Sequence, residues 1–195
     1  MDIRIAKGHL SLLAAASMWG LMSPIGKAAM DAGITGLLLA NMRMIGGAVC
    51  FWVASMFAPK EKVSSRDLQL LFFASLLGIV CNQGCFTFGL SLTSPVDASI
   101  MTTTMPIITM VLAALFLKEP VTSMKVIGIF LGSIGALVLI VSNVGNVQEG
   151  GSIGGDVLCV AAQLSFACYL TIFKKLIARY NVFTLMKWMF TYAAI

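Results

Sequence analysis

The sequence predicts an all-α, polytopic transmembrane helical bundle, and three observations carry that reading. Hydrophobic residues make up 59% of the chain and charged residues 11%, with a mean hydropathy of +0.96. A soluble core of this length has no room for so much apolar side chain. The charges are also segregated, lying between apolar runs of about 20 residues, the length an α-helix needs to cross roughly 30 Å of hydrocarbon. The third observation is a weak repeat. Trp19, Gly20 and Lys27 fall in the places that Phe166, Ala167 and Lys174 occupy later, and Gly8/Gly155, Ala14/Ala161 and Ala15/Ala162 are further identities. Five spans, an odd number, precede the restart, so the second unit is inverted, as in many alternating-access carriers. Chance similarity between two apolar helices is the alternative.

Taken in order, the spans are expected near His9–Met30, Gly36–Phe57, Leu68–Leu92, Val96–Leu117, Met124–Val141 and Asp156–Ile177, with a seventh beginning near Val182. Residues 1–145 form the first five-helix repeat and 146–195 begin the second. Val182–Ile195 supplies only about 21 Å of helix at 1.5 Å per residue, so the second repeat is expected to be incomplete.

Orientation follows from basic residues. Arg4 and Lys7, then Lys60, Lys62 and Arg66, then Lys118 and Lys125, then Lys174, Lys175 and Arg179 fall on one side, whereas Asp31–Thr35, Thr93–Ser94 and Ser142–Gly155 carry no Lys or Arg. The positive-inside rule makes the N-terminus cytoplasmic and places the chain in the cell membrane (a cytoplasmic or inner membrane). The net charge of +5 then reflects topology and not nucleic-acid binding. A secretory signal ending at Ala14-Ala15-Ala16-Ser17 is the rival reading, but the apolar run continues to Met30, which favours an uncleaved helix. The five cysteines, Cys50, Cys81, Cys85, Cys159 and Cys168, all lie inside spans and read as small apolar groups. Cys81 and Cys85 share a helix face without a His or carboxylate, so neither a metal site nor a cofactor is implied.

Ser64 before Asp67 and Ser94 before Asp97 have capping-box spacing, which satisfies backbone N–H groups at a helix start; Pro95 adds a favourable first helical residue. Asp97 therefore reads as a capping carboxylate. Glu119-Pro120 ends the fourth span, because Pro disfavours helix in the residue before it. Inside spans, Pro24 and Pro106 free the carbonyls of Gly20 and Thr102, sites tolerated beside other helices, hydroxyls or a water-lined cavity. Ser99, Thr102, Pro106 and Thr109 share roughly one face, with Thr103 beside them, and suit either helix contact or cavity lining. Gly128, Gly132 and Gly135 make a smooth stripe for helix packing, and Gly78, Asn82, Cys85 and Gly89 make a comparable one.

Arg43 lies within the second span, where a central Arg costs about 2.5–3.5 kcal/mol on insertion scales. It is read as facing the bundle interior, with snorkelling to the interface as the alternative. Trp19, Ser23 and Lys27 follow one ridge of the first helix, with a packing aromatic and a snorkelling lysine as the alternatives for Trp19 and Lys27. Cations with nearby hydroxyls and amides favour a carboxylate or another anionic group over an organic cation. No acid occupies the middle of a complete span, so nothing here supports proton coupling through a central carboxylate. One His at an interface and no nucleophile–base pair leave no chemistry for an enzyme.

Ser17-Met18-Trp19-Gly20 with Pro24, Lys27 and Arg43 resembles the opening of an EamA-type domain of the drug/metabolite transporter superfamily. Leu90-Ser91-Leu92-Thr93-Ser94-Pro95, the stretch to Pro106, and Phe116-Leu117-Lys118-Glu119-Pro120 are similar to that family's third-to-fourth-span signature. The Gly-rich fifth span fits, and Gly155-Asp156 through Trp188 resembles the start of a second repeat. The resemblance implies a ten-helix carrier of two inverted five-helix repeats that moves a small, amino-acid-like or otherwise anionic or zwitterionic metabolite, commonly outward. Small multidrug-resistance proteins are a related comparison, but their first-span carboxylate has no counterpart here. The expected path is Trp19, Ser23, Lys27, Arg43, Asn82, Ser99, Thr102, Thr103 and Pro106. The expected partners are a small-molecule solute, the lipid bilayer, and either a second copy of the chain or a missing second half. A non-transporting or half-carrier subunit that needs a partner chain is the competing function.

Overall fold

The computed structural model describes residues 3–143 and 152–195, and every regular element in them is helical. In chain order these are α1 (Ile3–Asp31), α2 (Gly36–Ser55), α3 (Ser65–Leu92), α4 (Pro95–Leu117), α5 (Ser123–Asn143), α6 (Ile153–Ile172), α7 (Lys174–Ile177) and α8 (Val182–Ala193). Among the described residues α2, α3, α4 and α6 are long and apolar enough to cross a membrane, and Ser123–Gly135 is a shorter apolar stretch of α5. The chain is thus a polytopic helical bundle. α1 has the length, but its Ser, Gly and Pro residues dilute the apolar run. The 145/146 repeat boundary and most of the Ser142–Gly155 loop lie outside the described residues.

The helix starts are written locally. Ser64 Oγ accepts from Asp67 N at 3.1 Å, and Ser94 Oγ accepts from Asp97 N at 3.0 Å. Each side chain takes up a backbone donor that the first turn leaves unpaired. Asp97 then receives the Ser94 hydroxyl at 2.8 Å, which completes its local role. α4 ends at Lys118, whose φ of 52° and ψ of 33° are left-handed, as at many helix C-termini.

Two predicted single spans are broken. The fourth, expected as one helix over Val96–Leu117, divides into Pro95–Thr102 and Met105–Leu117. Pro106 has no N–H to bond the Thr102 carbonyl, and the chain tightens there into Thr103 N to Ile100 O and Thr104 N to Met101 O bonds of 2.9 and 3.1 Å. The sixth, expected over Asp156–Ile177, stops at Ile172, turns at Phe173 and resumes as α7. Thr171 donates its hydroxyl back to the Ala167 carbonyl just before that turn, a bond that bends helices. A third irregularity had no sequence signal: Leu76–Cys81, midway along α3, is π-helical.

α3 is the axis of packing. Near its start Leu71, Ala74 and Ile79 pack with Ala40 and Met44 of α2, Tyr169 of α6, Leu176 of α7, and Leu185 and Met189 of α8. Towards its end Phe86 and Leu90 pack with Ala98 of α4 and with Cys159 and Ala162 of α6. Bare glycines allow the close crossings. A Cβ on Gly89 would sit 2.8 Å from Cys159 Sγ and 2.8 Å from the Gly155 carbonyl oxygen. Such small-residue contacts hold helices together where lipid offers no hydrophobic drive.

The predicted stripe of Gly128, Gly132 and Gly135 behaves differently. A Cβ built on any of them meets no described atom within 4 Å, so the expected packing is not made among the described residues.

A cavity around Arg43 between the two core clusters

Polar tethers fix both ends of the bundle. At the end carrying the basic loops, Asp67 accepts two bonds from Arg179 Nη1 at 3.0 and 2.8 Å and one from the Tyr180 hydroxyl at 2.6 Å. Glu61 accepts from Asn181 N at 2.9 Å, and Lys174 bonds Glu119 directly. Donating to Asp67 holds the Tyr180 hydroxyl above its usual pKa, and the bond from Lys174 holds the Glu119 carboxyl below the usual carboxylate range. At the opposite end Lys27 Nζ donates to the Leu90 and Thr93 carbonyls, both at 3.2 Å, and Thr93 Oγ1 donates to Asp156 at 2.7 Å.

Between these ends lies a cavity of about 400 Å³. α1 contributes Trp19 and Met22, α2 Arg43, and α4 Thr102. Gly78, Asn82, Gln83 and Phe86 enter from α3, and Gln163, Phe166 and Tyr169 from α6. Met186, Met189 and Phe190 of α8 close one wall. The lining is therefore mostly aromatic and thioether surface with one cation, a few amides and no carboxylate. Soft, adaptable apolar walls with few polar groups are the usual form of a small-molecule site.

Arg43 is half-buried, and its Nη2 lies against the Met22 thioether sulfur, a weak acceptor. The ion pairs among the described residues are Lys174–Glu119 and Arg179–Asp67, so no described carboxylate neutralises Arg43. A guanidinium at membrane depth without a counter-charge is costly.

Of the residues expected on the path, Trp19, Arg43, Asn82 and Thr102 meet at this cavity. The Asn82 amide is already committed, donating to the Ala162 carbonyl at 2.9 Å, and Thr102 donates its hydroxyl to the Ser99 carbonyl at 2.6 Å. The structure separates the others. Ser23 is buried in the α1 contact, and Lys27 lines an open depression beside Asp31 and Thr35. Ser99 and Thr103 return their hydroxyls to the Pro95 and Ile100 carbonyls, and Pro106 lines a separate groove of about 550 Å³ between α4 and α5. Gln83, Gln163, Tyr169 and the methionines were not singled out by sequence. Two amides inside otherwise apolar spans were the available signal for Gln83 and Gln163; the methionines have none.

The described bundle is multi-pass, and Arg43 lines its cavity with no described carboxylate beside it. Residues 6–141 match the model of the EamA-like transporter family, and the chain belongs to that family. An "Uncharacterized transporter" of Archaeoglobus fulgidus is 25% identical over 190 residues, covering 92% of this chain and 62% of that protein. "Protein WALLS ARE THIN 1" of Arabidopsis thaliana is 32% identical over 116 residues, covering 58% of this chain and 30% of that protein. "Uncharacterized transporter YetK" of Bacillus subtilis is 24% identical over 174 residues, covering 87% and 52%. The chain thus spans less than two thirds of the length of each. No solved structure matches significantly. The family and two of these three relatives carry a transporter name.

Proposed function

We propose that the protein carries small carboxylate-bearing metabolites, anionic or zwitterionic, through the Arg43 cavity by alternating access. The observation that supports this most is Arg43 itself, a cation facing a mid-depth cavity with no described counter-charge. The apolar walls suit a solute with an aromatic or branched body, and the guanidinium suits its carboxylate. The two repeats would rock about the cavity and expose it to each side in turn. Outward movement across the cell membrane is the direction the family resemblance implies, and the clustering of basic loops at one end supports a cytoplasmic N-terminus.

The test is counterflow in liposomes containing the reconstituted protein and loaded with L-phenylalanine. Exchange that Arg43→Ala abolishes at normal membrane abundance supports the reading. Exchange unchanged by Arg43→Ala removes this cavity from the path.

A second reading, a half-carrier that completes its bundle with a partner chain, is favoured by the open face over Gly128, Gly132 and Gly135. Co-purification of a second chain cross-linked through that face supports it, and a cross-link that never forms argues against it.

A further inference from the structure

We propose that Gln83 reads a hydrogen-bond donor on the solute and so separates a zwitterion from a simple anion; this rests on the carrier reading above. Gln83 lines the Arg43 cavity, yet its Oε1 is shut off from solvent and accepts no hydrogen bond. An orphan acceptor at this depth loses its water without replacement; a half-turn of the amide brings it to the cavity, where a donor on the ligand recovers that cost. Two neighbouring donors are taken up, the Asn82 Nδ2 by the Ala162 carbonyl and the Thr102 hydroxyl by the Ser99 carbonyl.

The π-helical turn Leu76–Cys81 ends just before Gln83, which shares the cavity wall with Ile79 and Phe86 at α-helical spacing. α6 supports the irregular turn directly. Ser165 Oγ donates to the Leu77 carbonyl at 2.8 Å, and the Tyr169 ring covers Gly78 so closely that a Cβ there would lie 2.8 Å from its Cγ. Such turns are rare and are concentrated at functional sites.

Arg43 has only donors and takes the carboxylate, while the Gln83 carbonyl takes an N–H beside it. A neutral amide serves here better than an acid, which would be costly to ionise at membrane depth and would quench Arg43 in the empty cavity.

The test is calorimetric binding to the purified protein of two probes, L-phenylalanine and 3-phenylpropanoate, which share a body and a carboxylate and differ by the ammonium. Wild type should prefer L-phenylalanine by about tenfold, the worth of one charge-assisted hydrogen bond. Gln83→Met, close in volume, should erase that preference while leaving 3-phenylpropanoate within about twofold. No preference in wild type, or equal weakening of both probes in Gln83→Met, overturns the role of Gln83 while leaving the Arg43 cavity intact. Failure of both probes to bind wild type overturns the carrier reading and this proposal with it.

Discussion

Trp19 and Phe166 meet edge to face, with ring centroids 6.3 Å apart and planes at 87°. They stand in corresponding places of the two proposed repeats. Were a twofold to relate the repeats, it would bring corresponding places together at its axis, and here the contact falls on the wall of the Arg43 cavity. Edge-to-face aromatic pairs add about 0.5–1.5 kcal/mol beyond their buried area. A double-mutant cycle of Trp19→Leu and Phe166→Leu, read by unfolding in detergent, should return a coupling of that order. Additive losses would show the rings to be independent neighbours.

Glycine positions separate tight crossings from open faces. A Cβ on Gly78 would lie 2.8 Å from the Tyr169 ring, whereas one on Gly132 meets nothing. Gly78→Ala should therefore destabilise by about 1–3 kcal/mol, the usual cost of overpacking. Gly132→Ala should leave the unfolding midpoint unchanged or slightly raised. A reversal of this order would contradict the packing described for α3 and α6.

Asp67 is 4% exposed and accepts from both Arg179 and Tyr180, which ties α3 to the turn before α8. Arg179→Ala and Tyr180→Phe should each lower the unfolding midpoint. Asp67→Asn should lower it further, because it weakens both bonds, and adding Arg179→Ala to it should do little more. Full additivity would refute a shared carboxylate.

The exposed Glu119–Lys174 pair should show itself in pH dependence more than in strength. Its bond depresses the Glu119 pKa in the folded state, so the stabilisation is complete above the ordinary glutamate value of about 4.3 and fades as pH falls through the lower folded value. The midpoint difference between wild type and Lys174→Gln should be constant from neutral pH down to about 5 and shrink below that. A difference that grows in acid would reverse the assignment.

Sequence made the helical bundle legible because hydropathy and charge placement are local properties, and the Ser64 and Ser94 caps were read for the same reason. The breaks were harder. Pro106 announced its own, but the turn at Phe173 depends on the hydroxyl of Thr171, and nothing in Leu76–Cys81 announces a π-helical turn whose carbonyl is satisfied by Ser165 from another helix. The site was half legible. Arg43 and Trp19 stand out by residue type, whereas Lys27 has the same chemistry and is taken up by the Leu90 and Thr93 carbonyls, which only the three-dimensional arrangement reveals. Gln83 was passed over because its significance lies in a missing partner.

Arg43 is the proposed anion-binding group of the cavity, and the most direct measurement of that role compares binding of 3-phenylpropanoate and phenethylamine to wild type, Arg43→Gln and Arg43→Lys. Wild type should bind the anion and not the amine, Arg43→Gln should lose at least about tenfold for the anion, and Arg43→Lys should recover part of the loss. Equal affinity of wild type for both probes, or an Arg43→Gln protein that binds the anion as well as wild type, would contradict it.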